Sequence, residues 1–324
     1  MKSQIDALMH DYAGANPGAS VLVLKDGAPV IRASYGMADL ESQVAVTSAT
    51  NFRLASVSKQ FTAAGILLLS EEHKLGLDDR ITQWLPSLPG AAQEVTLRQL
   101  LTHTSGLVDY EDVMPPSQSA QLSDQDVQRL LETQDRTYFA PGSAYRYSNS
   151  GYVLLGLVIE KASGQMFTQF LRARIFEPLG MISTVAHVES RTVVPHRAYG
   201  YSFENGEWVR TDQSPTSATL GDGGIYSSID DLARWDAALY DSRLLRLDSL
   251  AQAFVPATPT DDPKVAYGFG WRITGETLWH SGESIGFRNV LVRYPQRRLT
   301  VIVLTNRNDP EPYRLALGIA ELAK

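Results

Sequence analysis

Ser56 and Lys59 make up the one Ser-x-x-Lys step in the chain, Ser56-Val57-Ser58-Lys59, and it stands at the head of a long apolar run. From Val57 to about Leu75 there is no proline and a single glycine, Gly65. That composition predicts a helix apolar nearly all round, and therefore buried. A spacing of three residues puts both side chains on one helix face. A hydroxyl at a helix N-terminus lies in the positive end of the helix dipole, close to unpaired backbone N–H groups. A neighbouring ammonium stabilises the alkoxide, and when desolvated it can lose a proton and act as a base. This is the equipment of an activated serine. An N-capping serine followed by a solvated lysine would read the same way, so the meaning of the pair depends on its company.

Two further groups supply that company. Tyr147-Ser148-Asn149 is the one Tyr-x-Asn in the chain and directly precedes an apolar, helix-length stretch. A phenol near an ammonium is acidified, and a phenolate can take the serine proton and later protonate a leaving group. Asn149 can offer its amide to a substrate carbonyl. His280-Ser281-Gly282, the one His-x-Gly, closes a predicted strand. Strand alternation puts His280 and Gly282 on one face and Ser281 on the other. A glycine there lets a substrate backbone lie along the strand, and the N–H of Glu283 can join that of Ser56 as an oxyanion hole.

The elements that must carry these groups follow a simple order. Ile5, Leu8, Met9 and Tyr12 predict an opening helix stopped near Gly14. Ala19–Lys25 and Ala28–Tyr35 predict a hairpin turning at Asp26-Gly27. Beyond the Ser56 helix the pattern becomes mostly helical, with helices predicted at Thr96–Leu101, from Ser123 through Leu131, at Asn149–Ala162 and at Gln165–Ile175. A flexible Gly221-Asp222-Gly223-Gly224 turn leads to a helix capped by Ser228 or Asp230 and running through Leu239. Strands return at Glu276–Ser281, Phe287–Tyr294 and Leu299–Asn306, before a last helix that Pro312 begins. The expectation is an α+β fold: an antiparallel sheet built from both chain ends, residues 1–77 and 215–324, with a mostly helical insertion at 78–214.

Bulk composition narrows the function. A net charge of −7 with no lysine/arginine block argues against nucleic acid as a partner. The absence of cysteine excludes disulfides and thiolate metal sites. The six histidines show no ligand-like spacing, so no metal and no cofactor is expected. No segment approaches the ~18 consecutive apolar residues of a membrane span. The N-terminal residues lack an apolar leader core, which fits a cytoplasmic protein or one whose leader has been removed. Oligomeric state leaves no trace in the sequence.

In this order, the three elements resemble the penicillin-recognising serine hydrolases: class C β-lactamases, DD-peptidases, D-aminopeptidases and related serine esterases. The resemblance covers nearly the whole chain. It extends to Leu100-Leu101-Thr102-His103-Thr104-Ser105-Gly106-Leu107, Pro178-Leu179-Gly180-Met181, and Gly223 to Ser228 leading into Asp231-Leu232-Ala233. It implies a β-lactamase/transpeptidase-like fold, Ser56 as nucleophile, Lys59 and Tyr147 as acid/base pair, and Asn149 as a substrate contact. The strand carrying His280, Gly282 and Glu283 would form the other wall. One departure matters: His280 stands where true β-lactamases have lysine, and Ser281 replaces threonine. Histidine is mostly neutral at pH 7, so the site is expected to lack a fixed charge for a β-lactam carboxylate.

The leading reading is a serine hydrolase working through an acyl-enzyme on small esters or peptide-like amides. The alternatives are a D-amino-acid-specific peptidase, a weak β-lactamase, or a catalytically silent relative serving as a binding or sensor module. Gly282-Glu283-Ser284-Ile285-Gly286 also matches the Gly-x-Ser-x-Gly of α/β-hydrolases. That motif works only at a strand-to-helix elbow, and Phe287–Tyr294 reads as a strand.

Overall fold

Asp26 and Gly27 both adopt left-handed backbone angles (φ +51° and +80°), as a tight two-residue hairpin turn requires. They join β1 (Ala19–Lys25) to β2 (Ala28–Tyr35) within the predicted bounds. The structure is a computed structural model describing residues 1–323. Ahead of the hairpin, α1 (Lys2–Leu8) and a short 3₁₀ turn (His10–Tyr12) form the opening helix. After it, β3 (Phe52–Arg53) leads through a 3₁₀ turn (Ala55–Ser58) into α2 (Lys59–Glu71), which is buried over nearly all its length.

Helix α2 stops at Glu71 rather than running on to Leu75. His73 takes a left-handed angle (φ +56°) and turns the chain out of the helix. Leu75 folds back into the same core, so the apolar pattern outlasts the helix that the sequence assigned to it.

Within residues 78–214, a single helical turn at Ile81–Trp84 is followed by α3 (Leu97–Leu101) and α4 (Asp124–Glu132). Both α3 and α4 open on a reciprocal capping box, Thr96 with Gln99 and Ser123 with Asp126. Helix α5 (Asn149–Ser163) ends on left-handed Gly164. The helix expected at Gln165–Ile175 is broken: Phe167–Leu171 is α-helical, Arg172–Phe176 widens to a π-turn, and Glu177–Leu179 closes it. The segment 78–214, expected to be mostly helical, also carries strands. Its β4 (Val185–Ala186) pairs with β5 (Ile225–Ser227), which also pairs with β3, and Tyr201–Glu204 forms a hairpin with Glu207–Arg210. Ser228 then caps α6 (Ile229–Ala238).

The last third of the chain supplies β6 (Thr258–Pro259), β7 (Ala266–Tyr267), β8 (Arg272–Thr274), β9 (Thr277–Ser284), β10 (Phe287–Tyr294), β11 (Leu299–Thr305) and α7 (Tyr313–Leu322). The main sheet is antiparallel throughout, in the order β6-β7-β8-β9-β10-β11-β1-β2. The first strand therefore lies beside the last, with Ala19 opposite Thr305. Alternation divides the sheet into two faces. Val21, Val23, Val290, Val292, Val301 and Val303 pack under α1 and α7. Leu22, Leu24, Leu291, Ile302 and Leu304 line the other face, where α6 packs on β1 and β11, in one core with α2, α3 and α5. Strands β6 to β8 were not foreseen, being too short to show a period. Among the described residues no helix is long and apolar enough to cross a membrane.

Candidate active site

The turn carrying Ser56 is strained. Ala55 has a left-handed backbone (φ +48°), which costs a β-carbon residue on the order of 1–3 kcal/mol and tends to persist where function over-determines it. Ala55, Val57 and Ser58 are buried while Ser56 stays partly open. Lys59 is fully buried at the start of α2. Its ammonium has three acceptors for its three N–H bonds: Ser56 Oγ at 3.0 Å, Asn149 Oδ1 at 2.8 Å and the Asp222 backbone carbonyl at 3.0 Å. The Ser-x-x-Lys step and the head of α5 thus meet at one nitrogen.

Asn149 is turned inward. Its amide nitrogen donates to Glu111 Oε1 at 2.8 Å, so both ends of the side chain are engaged within the protein. The cap of α5 comes from elsewhere in the chain: Asp109 Oδ2 accepts from the amides of Asn149 (2.6 Å) and Ser150 (3.5 Å). The Asp222 carbonyl is placed by its own loop. Thr62 donates to the Gly221 carbonyl at 2.6 Å, and the buried Asp124 carboxyl accepts from the amides of Leu220 (2.7 Å) and Gly221 (3.4 Å). Gly221 is required there, because a Cβ would overlap the Tyr152 carbonyl. Burial pushes Asp124 up to about 8 and also raises Asp222, against the pull of Lys59. Glu111 opens to solvent at the rim, yet desolvation of its carboxyl, with Asp109 and Asp222 nearby, raises it too.

Tyr147 lies over this centre with its ring centroid 5.0 Å from Lys59 Nζ. Among the described residues, no hydrogen bond joins its hydroxyl to Ser56 or Lys59. Catalytic hydrogen bonds commonly tighten only with substrate in place. Around its ring is an aromatic cluster: His103 at 4.3 Å, His280 at 6.2 Å and Tyr267 at 6.3 Å between centroids.

The strand wall differs from the sequence expectation in two respects. His280 does not face a substrate channel but is 1% exposed. Its Nδ1–H donates to the Ser281 carbonyl (2.6 Å) and its Nε2 accepts from the Tyr267 hydroxyl (2.8 Å). Burial drives its pKa well below the usual range, helped by Arg272 and Lys59. Gly282 has a different reason to be glycine: a Cβ would overlap the Leu54 carbonyl and stand 3.2 Å from the Val57 amide nitrogen. Strand β9 rests on the Ser56 turn at that point, and the next residue, Glu283, is exposed. Ser284 ends β9 opposite Phe287 in a hairpin, so the elbow of an α/β-hydrolase is not formed.

The expectation that the site lacks fixed positive charge is also overturned. Arg272, on β8 opposite Trp279, holds its guanidinium 5.4 Å from the Tyr147 ring centroid. Among the described residues it has no acidic partner, and its Nε is buried without a hydrogen bond. Arg272, Tyr267, Asp109, Glu111 and Asp222 escaped the sequence reading because none belongs to a spaced motif there. The close-packing glycines were the available signal for Tyr267: Gly270 (φ +75°) abuts the Lys59 carbonyl, and Gly268 abuts Ala253. Among the described residues, no three His, Asp or Glu side chains converge as a metal ion would need.

The Beta-lactamase family model matches residues 2–323. The chain is 35% identical to penicillin-binding protein 4* of Bacillus subtilis (strain 168) over 319 residues, covering 92% of this chain and 70% of that protein. It is 28% identical to a D-aminopeptidase of Gluconobacter oxydans (strain 621H), covering 94% of this chain but 58% of the other. The solved penicillin-binding protein of Bacillus halodurans superposes with a TM-score of 0.87 at 27% identity, covering both chains in full. With a family match spanning almost every residue, a serine–lysine pair at hydrogen-bond distance and a shared fold, this chain belongs to the Beta-lactamase family.

Proposed function

We propose that the protein is a serine hydrolase acting through an acyl-enzyme on small esters or peptide-like amides. The observation that carries this reading is the 3.0 Å contact of Ser56 Oγ with a fully buried Lys59 ammonium. Once Lys59 or Tyr147 has given up its own proton, Ser56 Oγ attacks the acyl carbon while its proton passes to that deprotonated member of the Lys59–Tyr147 unit. The C–O or C–N bond to the leaving group then breaks, the same unit protonates the departing atom, and an ester on Ser56 remains for water to hydrolyse. The amides of Ser56 and Glu283 serve as oxyanion hole, a role supported by the contact of Gly282 with the Ser56 turn. Asn149 holds Lys59 and Glu111 in place beside the substrate. His280 acts by fixing Tyr267, not by touching substrate.

Arg272 favours a second, narrower reading. An unpaired guanidinium over the Tyr147 ring suits a substrate that carries a carboxylate near the scissile bond, as a peptide-like or β-lactam substrate does. The names of two relatives, a penicillin-binding protein and a D-aminopeptidase, fit acyl transfer on such compounds.

The test is a panel of p-nitrophenyl esters, D- and L-aminoacyl anilides and nitrocefin, with intact-protein and peptide mass spectrometry of the trapped acyl-enzyme. Turnover with the adduct on Ser56 is expected. An adduct on Ser284, or no adduct with any substrate, would overturn the proposal.

A further inference from the structure

The segment Thr102-His103-Thr104-Ser105-Gly106 has no place in the chemistry above, yet it lies against Tyr147. We propose that His103 is the positioning residue that aims the Tyr147 side chain at the Ser56–Lys59 pair. The inference rests on the reading of Tyr147 as part of the proton-transfer unit.

His103 grips the chain on both sides of Tyr147. Its backbone carbonyl accepts from the Arg146 amide at 3.0 Å, and its ring Nδ1 accepts from the Ser148 amide at 3.1 Å. Between those two bonds the imidazole lies against the phenol ring, 4.3 Å between centroids and tilted by 36°. The same turn holds the rest of the loop: the Thr104 carbonyl accepts from Gly142 (2.8 Å) and the Gly106 carbonyl from Tyr138 (2.7 Å). Gly106 is glycine because a Cβ would overlap the Phe139 carbonyl. The neighbours of Tyr147 are therefore tied to one rigid turn, while its hydroxyl stays free to work.

Two costs are concentrated on His103. Its backbone is left-handed (φ +58°), a conformation that few residues other than glycine adopt, histidine more readily than most. Because Nδ1 accepts, the proton of the neutral ring lies on Nε2, and that N–H is buried with no partner. Strained angles and orphaned buried donors cluster at functional sites. Burial, with Lys59, His280 and Arg272 nearby, keeps the ring neutral, so Nδ1 remains an acceptor. A protonated ring would have no lone pair for the Ser148 amide.

Two substitutions separate the ring from the acceptor. His103→Asn tolerates the left-handed backbone and retains an acceptor but removes the stacked ring. His103→Phe keeps a ring and removes the acceptor. The measurements are burst-phase acylation and steady-state kinetics on a p-nitrophenyl ester, with thermal melting alongside, in wild-type and Tyr147→Phe backgrounds. In the wild-type background each variant should lose about a hundredfold in acylation rate, the scale of a misplaced catalytic group, with KM within about twofold. In the Tyr147→Phe background the same substitutions should cost almost nothing further. An equal loss in both backgrounds, or unchanged acylation despite a lowered melting temperature, would show that His103 is structural and would overturn the inference. A fully active Tyr147→Phe parent would instead remove the reading beneath it. If one variant does not fold, the other carries the comparison.

Discussion

Gly282 and Leu54 touch through backbone alone: the α-carbon of the strand residue lies where any side chain would collide with the Leu54 carbonyl. This contact sets the distance between the strand wall and the nucleophile turn. Gly282→Ala should therefore push β9 off the Ser56 turn, at a cost of roughly 1–3 kcal/mol of overpacking. Acylation should fall more than the melting temperature alone explains, as stopped-flow burst kinetics below the melting transition would reveal. Full activity in that variant would mean that the turn and the strand move independently.

Ser56→Ala should abolish turnover and labelling by a fluorophosphonate while leaving stability nearly unchanged, because Ser56 is half open and contributes little packing. Peptide mapping of labelled wild-type protein checks the site directly. Probe on any other serine would refute the assignment.

Lys59→Ala and Tyr147→Phe should each cost several orders of magnitude in acylation, and the double variant little more, since groups in one proton-transfer unit are strongly non-additive. The two differ in stability. Lys59→Ala leaves Asn149 Oδ1 and the Asp222 carbonyl without their donor, at about 1–3 kcal/mol for each buried acceptor. Thermal melts and single-turnover rates on all three variants separate the effects, and multiplying losses would rule out one relay.

Arg272→Gln should weaken carboxylate-bearing substrates by about tenfold, mostly in KM, from the loss of ~1–2 kcal/mol in a partly desolvated cleft. A neutral ester should be unaffected. The comparison belongs at low salt, and equal changes on both substrates would count against a role in charge recognition. His280→Lys, by contrast, should not install a carboxylate site. It places a cation in a fully buried position near Arg272 and Lys59, so loss of stability is the expected outcome.

Stability should fall as pH rises from about 6.5 to 8. Asp124, raised to about 8, binds a proton in the folded protein that the unfolded chain releases above the ordinary carboxyl value of 3.8. The folded state thus holds more protons across this window, and stability declines with pH. Asp222 and Glu111 act in the same direction. The buried neutral His103 and His280 act oppositely, but only below the ordinary histidine value of 6.5. Melting temperatures of wild type and Asp124→Asn between pH 6.5 and 8.5 test this; the variant should show the flatter profile.

What the sequence disclosed was local. Asp26-Gly27 specifies its own turn, Thr96 and Ser123 cap their own helices, and Ser56 and Lys59 are three residues apart in one element. The parts it hid are assembled from afar. Lys59 is held by Asn149 and Asp222, ninety and more residues on. Arg272 and Tyr267 lie on strands of two or three residues, too short for any period to register. His280 was visible as chemistry but misplaced, because alternation names the face a side chain is on and not what covers that face.

The adjacency of β1 and β11 has a consequence for how the protein comes to life on the ribosome. The nucleophile turn precedes its opposite wall by more than two hundred residues, and the strand completing the sheet follows that wall. Until those segments emerge, Ser56 faces no strand and β1 lacks one neighbour. Nascent chains that already carry the serine and lysine should hydrolyse nothing until β9 and β11 have emerged and the strand wall can close on the Ser56 turn.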